Sequence, residues 1–244
     1  MKLTLTNLLI YILLFVFVVC LPIDLLNLSF AITLTIQIVV RLALLGYYIY
    51  IIWKNKVNIF KGSAFKEVII FLPFFLICFS NIFASLIGGG FNYVKSSGLI
   101  LFLQIVLCLV GAILEEIVFR FFVQTSLVNH RPISRILLSA LIFALCHLIN
   151  IVNVRSIDAL LGVLLQTIYT FGLGLVLGFI FEYSHSLVFV MVLHFAFNLF
   201  NDVLYVFFGG YTTTLVFVLT AVIISLLVGA YGIVLYYKKY RYIK

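Results

Sequence analysis

The stretch G-A-I-L-E-E-I-V-F-R-F-F (111–122) sets two adjacent glutamates and an arginine inside an apolar run. Such residues cost about 2.5–3.5 kcal/mol each if they meet lipid unpaired, so each needs a partner or a task. Arg120 follows Glu116 by four residues and shares its helix face, whereas Glu115 lies about 100° around the axis. Glu116 and Arg120 can therefore neutralise one another, which leaves Glu115 for chemistry. Two more polar faces follow. His147 comes four residues after Phe143 and three before Asn150, and His194 comes four before Asn198; Gln166 lies between the two groups in sequence. A glutamate and a histidine can take a proton from water, while a second histidine and an asparagine amide can donate to a developing oxyanion. The set suits addition of water to a carbonyl. Glu115, His147 and His194 also make up a His-His-Glu zinc site with an open position for water. A structural role for the buried pair, or an ion or proton path, stays open on the residues alone, and Gln166 and Asn150 serve equally well as interhelical hydrogen bonders.

These residues need helices to carry them. Of the 244 residues, 66% are hydrophobic and only 9% charged, with a mean hydropathy of +1.35. A soluble domain holds about 45–50% apolar residues, so the chain reads as an integral membrane protein. With about 20 residues per crossing, eight candidate spans emerge: 6–22, 30–53, 67–88, 99–128, 134–151, 158–181, 187–206 and 213–237. The expected fold is an all-α, polytopic helical bundle forming one membrane domain over 1–244, with the chemistry in 99–206. The first apolar run lacks a small-residue cleavage site and is kept as a helix rather than a signal peptide. The candidate 99–128 exceeds one perpendicular crossing, so a tilt, a kink or an interfacial extension is expected.

Basic residues cluster in the linkers: four lysines in 54–66, two arginines in 129–135 and four basic residues in 236–244. With eight spans these fall on one side together with Lys2, and Asp24, Lys95, Arg155 and Asp158 fall on the other. The positive-inside rule then places both termini in the cytoplasm. The formal charge of +8 sits beside spans and forms no stripe on a soluble domain, which points to anionic headgroups of the bilayer and away from nucleic acid. Cys20, Cys78, Cys108 and Cys146 are scattered singly, a pattern of neither disulfides nor metal clusters. Oligomeric state leaves no mark in the sequence.

The motifs resemble a family. E-E-I-V-F-R (115–120) resembles the E-E-x-x-x-R motif of the CAAX-protease and bacteriocin-processing family of intramembrane proteases. F-A-L-C-H (143–147) resembles its F-x-x-x-H motif, and H-F-A-F-N (194–198) its H-x-x-x-N motif. The resemblance implies an endopeptidase whose site lies in a membrane-enclosed cavity opening toward the cytoplasm. It further implies that Glu115 and His147 activate water and that His194 and Asn198 stabilise the oxyanion, with Glu116, Arg120 and Phe143 in support. A glutamate mechanism with no required cofactor is favoured over zinc. Outside these motifs the chain is similar to small bacterial members. A plasma-membrane location is then expected, with a short hydrophobic peptide or a C-terminal protein segment as substrate, in peptide processing or bacteriocin self-immunity. The alternative is a non-catalytic adaptor or immunity protein that binds a peptide or regulates a partner.

Overall fold

The computed structural model describes residues 4–21, 23–26, 28–57, 59, 73–74, 77–88, 90–91, 97–210, 223, 226–227, 229–235 and 237–238. Its elements are α1 (Leu5–Val19), α2 (Phe30–Lys54), α3 (Ser80–Gly88), α4 (Gly98–Glu116), α5 (Pro132–His147), α6 (Ile157–Ser184) and α7 (Leu187–Asn198). Among the described residues the one non-helical pairing is an isolated antiparallel bridge between Phe91 and Gly210.

Five helical stretches are long and apolar enough to cross a membrane: Phe30–Lys54, Gly98–Gln124, Pro132–Val152, Ala159–Ser184 and Leu187–Phe207. They match the candidates 30–53, 99–128, 134–151, 158–181 and 187–206. The first candidate, 6–22, is a 15-residue apolar helix; at about 1.5 Å per residue it is shorter than the hydrocarbon core of about 30 Å. Much of the third candidate (67–88), most of the lysine-rich linker 54–66, Lys2, Lys95, and most of 213–237 and the basic tail lie outside the described residues.

The fourth candidate accommodates its length by changing helix type. After Glu116, α4 continues as a π-helix over Ile117–Gln124, and all eight of its residues are buried. A helix enclosed on every side occupies the centre of its bundle. The wider register displaces backbone carbonyls from the usual i→i−4 ladder, and hydroxyls meet several of them. Ser139 donates to the Phe119 carbonyl at 2.6 Å, Thr125 to that of Phe121 and Ser126 to that of Phe122. Aromatic rings from the first two helices clad this segment. Phe15 meets Phe119 edge-on at 5.5 Å, and Tyr48 meets Phe122 at 5.3 Å. The Tyr48 hydroxyl donates to the Tyr11 carbonyl, so its polar end is also satisfied.

Two glycines bring α6 against α5. A Cβ on Gly174 would stand 3.1 Å from Ala140 and Phe143, and one on Gly178 3.0 Å from Ile136. This small-x-x-x-small face lets the backbones approach and holds Phe143 in place. Pro132 opens α5, where its missing N–H costs nothing. At the far end of α6, His185 adopts φ 52°, and the Ser186 hydroxyl then caps α7 by accepting from the Phe189 N–H. After Asn198, α7 also turns π-helical, over Leu199–Leu204. There Asn201 binds α3: its side-chain oxygen accepts from the Ser80 hydroxyl and the Asn81 N–H, each at 3.0 Å. The first π segment thus begins inside the E-E-x-x-x-R motif and the second immediately after H-x-x-x-N, and single π turns recur at functional sites.

Candidate active site

Glu116 and Arg120 form the sealed half of the site. Arg120 Nε lies 3.1 Å from Glu116 Oε2, and both side chains are 0% exposed. The contact is an ion pair rather than an aligned hydrogen bond, since neither atom has a hydrogen-bond partner. The arginine gains one hydrogen bond, Nη1 to Ser139 Oγ at 3.3 Å. Its guanidinium also lies over the Phe143 ring at 5.4 Å, a cation–π contact strengthened by exclusion of water.

His194 joins this half to the open one. Its Nδ1 is 2.7 Å from Glu116 Oε1, and its Nε2 is 3.5 Å from Glu115 Oε2. A ring with a hydrogen on each nitrogen satisfies both carboxylates. Glu115, 17% exposed, reaches the wall of a cavity of about 290 Å³, where Asn198 joins it. Adjacent glutamates are thus separated as the helix turn demands: one locked in the bundle, the other at an accessible surface.

His147 is placed beside the cluster through Phe143. The Phe143 ring meets His147 edge-on at 4.8 Å and His194 at 5.9 Å. His147 Nδ1 is 2.9 Å from the Phe143 carbonyl. A carbonyl can only accept, so Nδ1 carries the hydrogen and Nε2 of the neutral ring keeps its lone pair. That is the tautomer a general base needs. Among the described residues no three of His, Cys, Asp and Glu gather as a metal site. The arrangement therefore does not fit the ligand set Glu115, His147 and His194 closing on one ion. Asn150 belongs to a 3₁₀ segment, Leu148–Asn153, and donates to Gln166 at 3.0 Å. The two tie α5 to α6, and neither lines the cavity.

Three cavity residues had drawn no notice in the sequence: Arg41 of α2, Gln104 of α4, and Asp202 of the second π segment. Arg41 is the sole charged residue in 30–53, and Asp202 the sole acidic one in 187–206. The default that an ionisable intramembrane residue marks function applies to both. The cavity wall runs from Glu115 and Asn198 to Leu34 and Val206, near the start of α2 and the end of the α7 stretch. That end lies away from Arg131 and Arg135, so the basic-side assignment and a cytoplasmic opening select opposite ends of the bundle.

Glu115 and Asn198 stand at the cavity wall, while the two imidazoles lie off it, His194 against both glutamates and His147 against Phe143; these are groups that can serve addition of water to a carbonyl. Residues 97–200, which contain all three motifs, match the model of the type II CAAX prenyl endopeptidase Rce1-like family. No curated protein matches the chain, and no solved structure does.

Proposed function

We propose that the protein is an intramembrane endopeptidase that hydrolyses a peptide bond in a short hydrophobic or membrane-associated peptide. The observation that carries this reading is Glu115 at the wall of an accessible cavity, with His194 between it and the buried Glu116–Arg120 pair. In the proposed mechanism Glu115 takes a proton from water, and His147 Nε2 serves as a second proton acceptor. The hydroxide attacks the peptide carbonyl. The Asn198 amide and the His194 Nε2–H donate to the oxyanion, and the proton held by Glu115 passes to the leaving amine. Glu116 orients His194 through Nδ1, and Arg120 supplies the charge that keeps Glu116 an acceptor. Each step is routed through protein groups.

The setting we propose is a bacterial plasma membrane, in which the peptide is processed or a bacteriocin is destroyed as self-immunity. The test is cleavage of an apolar peptide by the purified protein in detergent. Glu115→Gln and His147→Ala are each expected to lower the rate by about 10²–10⁴-fold, the usual worth of a positioned acid–base group. Undiminished cleavage by both variants contradicts the assignment. Cellular function that survives Glu115→Gln but not changes on an exposed helix face supports a non-catalytic adaptor instead.

A further inference from the structure

Arg41 is the unexplained charge in the cavity. Of the arginines among the described residues, Arg120 pairs with Glu116 and Arg135 with Glu182. Arg155 donates to the carbonyls of Val152 and Val154, and Arg131 is exposed. Arg41 is half-buried, and its Nε is buried without a hydrogen-bond partner. Among the described residues no carboxylate reaches it as an ion pair. Glu115 and Asp202 line the same cavity but neither closes an ion pair with Arg41, so the guanidinium, which stays charged, keeps hydrogen-bonding capacity for an anion that enters the cavity.

Its position says where that anion sits. Arg41 Nη1 lies 3.5 Å from the point where a Cβ on Gly111 would be, an ordinary contact distance that sets the guanidinium against α4 at this residue. Gly111 precedes Glu115 by four residues, a rise of about 6 Å along the helix. That is the reach of about two residues of extended peptide. The guanidinium and Glu115 line one cavity.

We infer that Arg41 binds a carboxylate of the substrate peptide in the cavity, about two residues from the bond presented to Glu115. The planar fork of a guanidinium matches a carboxylate through two parallel hydrogen bonds. The carboxylate is either the peptide's C-terminal group or an acidic side chain. Glu115 and Asp202, which share the cavity, repel an anion that lacks this anchor, so Arg41 acts as a specificity-determining residue. The inference rests on the peptidase reading, and a binding measurement separates the two.

The experiment uses the full-length Glu115→Gln protein in detergent, which holds peptide without cutting it. Three fluorescent apolar heptapeptides are compared: one with a free C-terminal carboxylate, its C-terminal amide, and the amide bearing one internal aspartate. At least one carboxylate peptide is expected to bind about tenfold or more tightly than the neutral amide, as a charge-assisted hydrogen bond away from water provides. Which of the two binds identifies the source of the carboxylate. Adding Arg41→Gln is expected to erase the difference, and Arg41→Lys to restore part of it. Equal binding of all three peptides, no saturable binding of any, or a preference that survives Arg41→Gln overturns the inference. Thermal unfolding of each variant excludes loss through misfolding. Wild-type protein that fails to cut the peptide its Glu115→Gln form binds contradicts the peptidase reading and leaves carboxylate recognition standing.

Discussion

Arg120 and Arg41 are both guanidiniums within membrane-spanning helices, and the protein surrounds them in opposite ways. Arg120 is wholly enclosed, with Glu116 at 3.1 Å, Ser139 at 3.3 Å and the face of Phe143 at 5.4 Å. Arg41 stands at a cavity wall with no carboxylate of its own among the described residues. One arginine completes an internal charge balance; the other is left facing the cavity. The glutamates divide in the same way, Glu116 with the enclosed region and Glu115 with the open one. A site built so keeps a costly polar cluster stable without using up the groups that must meet substrate.

The division has measurable consequences. The largest falls on Arg120→Ala, which strands Glu116 and His194 in the bundle and is expected to cost about 3–5 kcal/mol, read as a lowered thermal-unfolding midpoint in detergent. An unchanged midpoint breaks the distinction between the two regions. Asn198→Ala acts on the open side. It is expected to lower kcat by about 10²-fold, the low end for an oxyanion donor, with little change in stability. A loss confined to KM assigns Asn198 to substrate binding instead. The smallest effect belongs to Asn150→Ala, which removes one interhelical hydrogen bond to Gln166 and is expected to cost about 0.6 kcal/mol of stability. A loss of activity beyond that draws Asn150 into the site.

Some of this design is legible in the sequence. The separation of Glu115 from Glu116 follows from the i,i+4 spacing of Glu116 and Arg120, since a helix face is fixed by its period. Five spans follow from apolar length alone. The change to π-helix after Glu116 and after Asn198 is not written in composition, because it depends on whether neighbouring hydroxyls and amides meet the freed carbonyls. Ser139 meets the Phe119 carbonyl and the Asn81 side-chain amide meets the Asn201 carbonyl, each from another helix. Asn150 donates to Gln166 of α6, a partner on another helix that its spacing from His147 does not reveal. Arg41 and Asp202 were findable by the rule that singled out Glu115. Their convergence on one cavity requires knowing how α2 and α7 are rotated about their axes, which spacing within one helix does not determine.

The most direct test of the account compares two isosteric changes one residue apart. Glu115→Gln and Glu116→Gln are purified in the same detergent and measured for peptide cleavage and for thermal unfolding. The account predicts that Glu115→Gln keeps the wild-type midpoint and loses cleavage, whereas Glu116→Gln unfolds at a clearly lower temperature because Arg120 loses the carboxylate it pairs with. Equal midpoints for the two variants, or retained cleavage by Glu115→Gln, would contradict it.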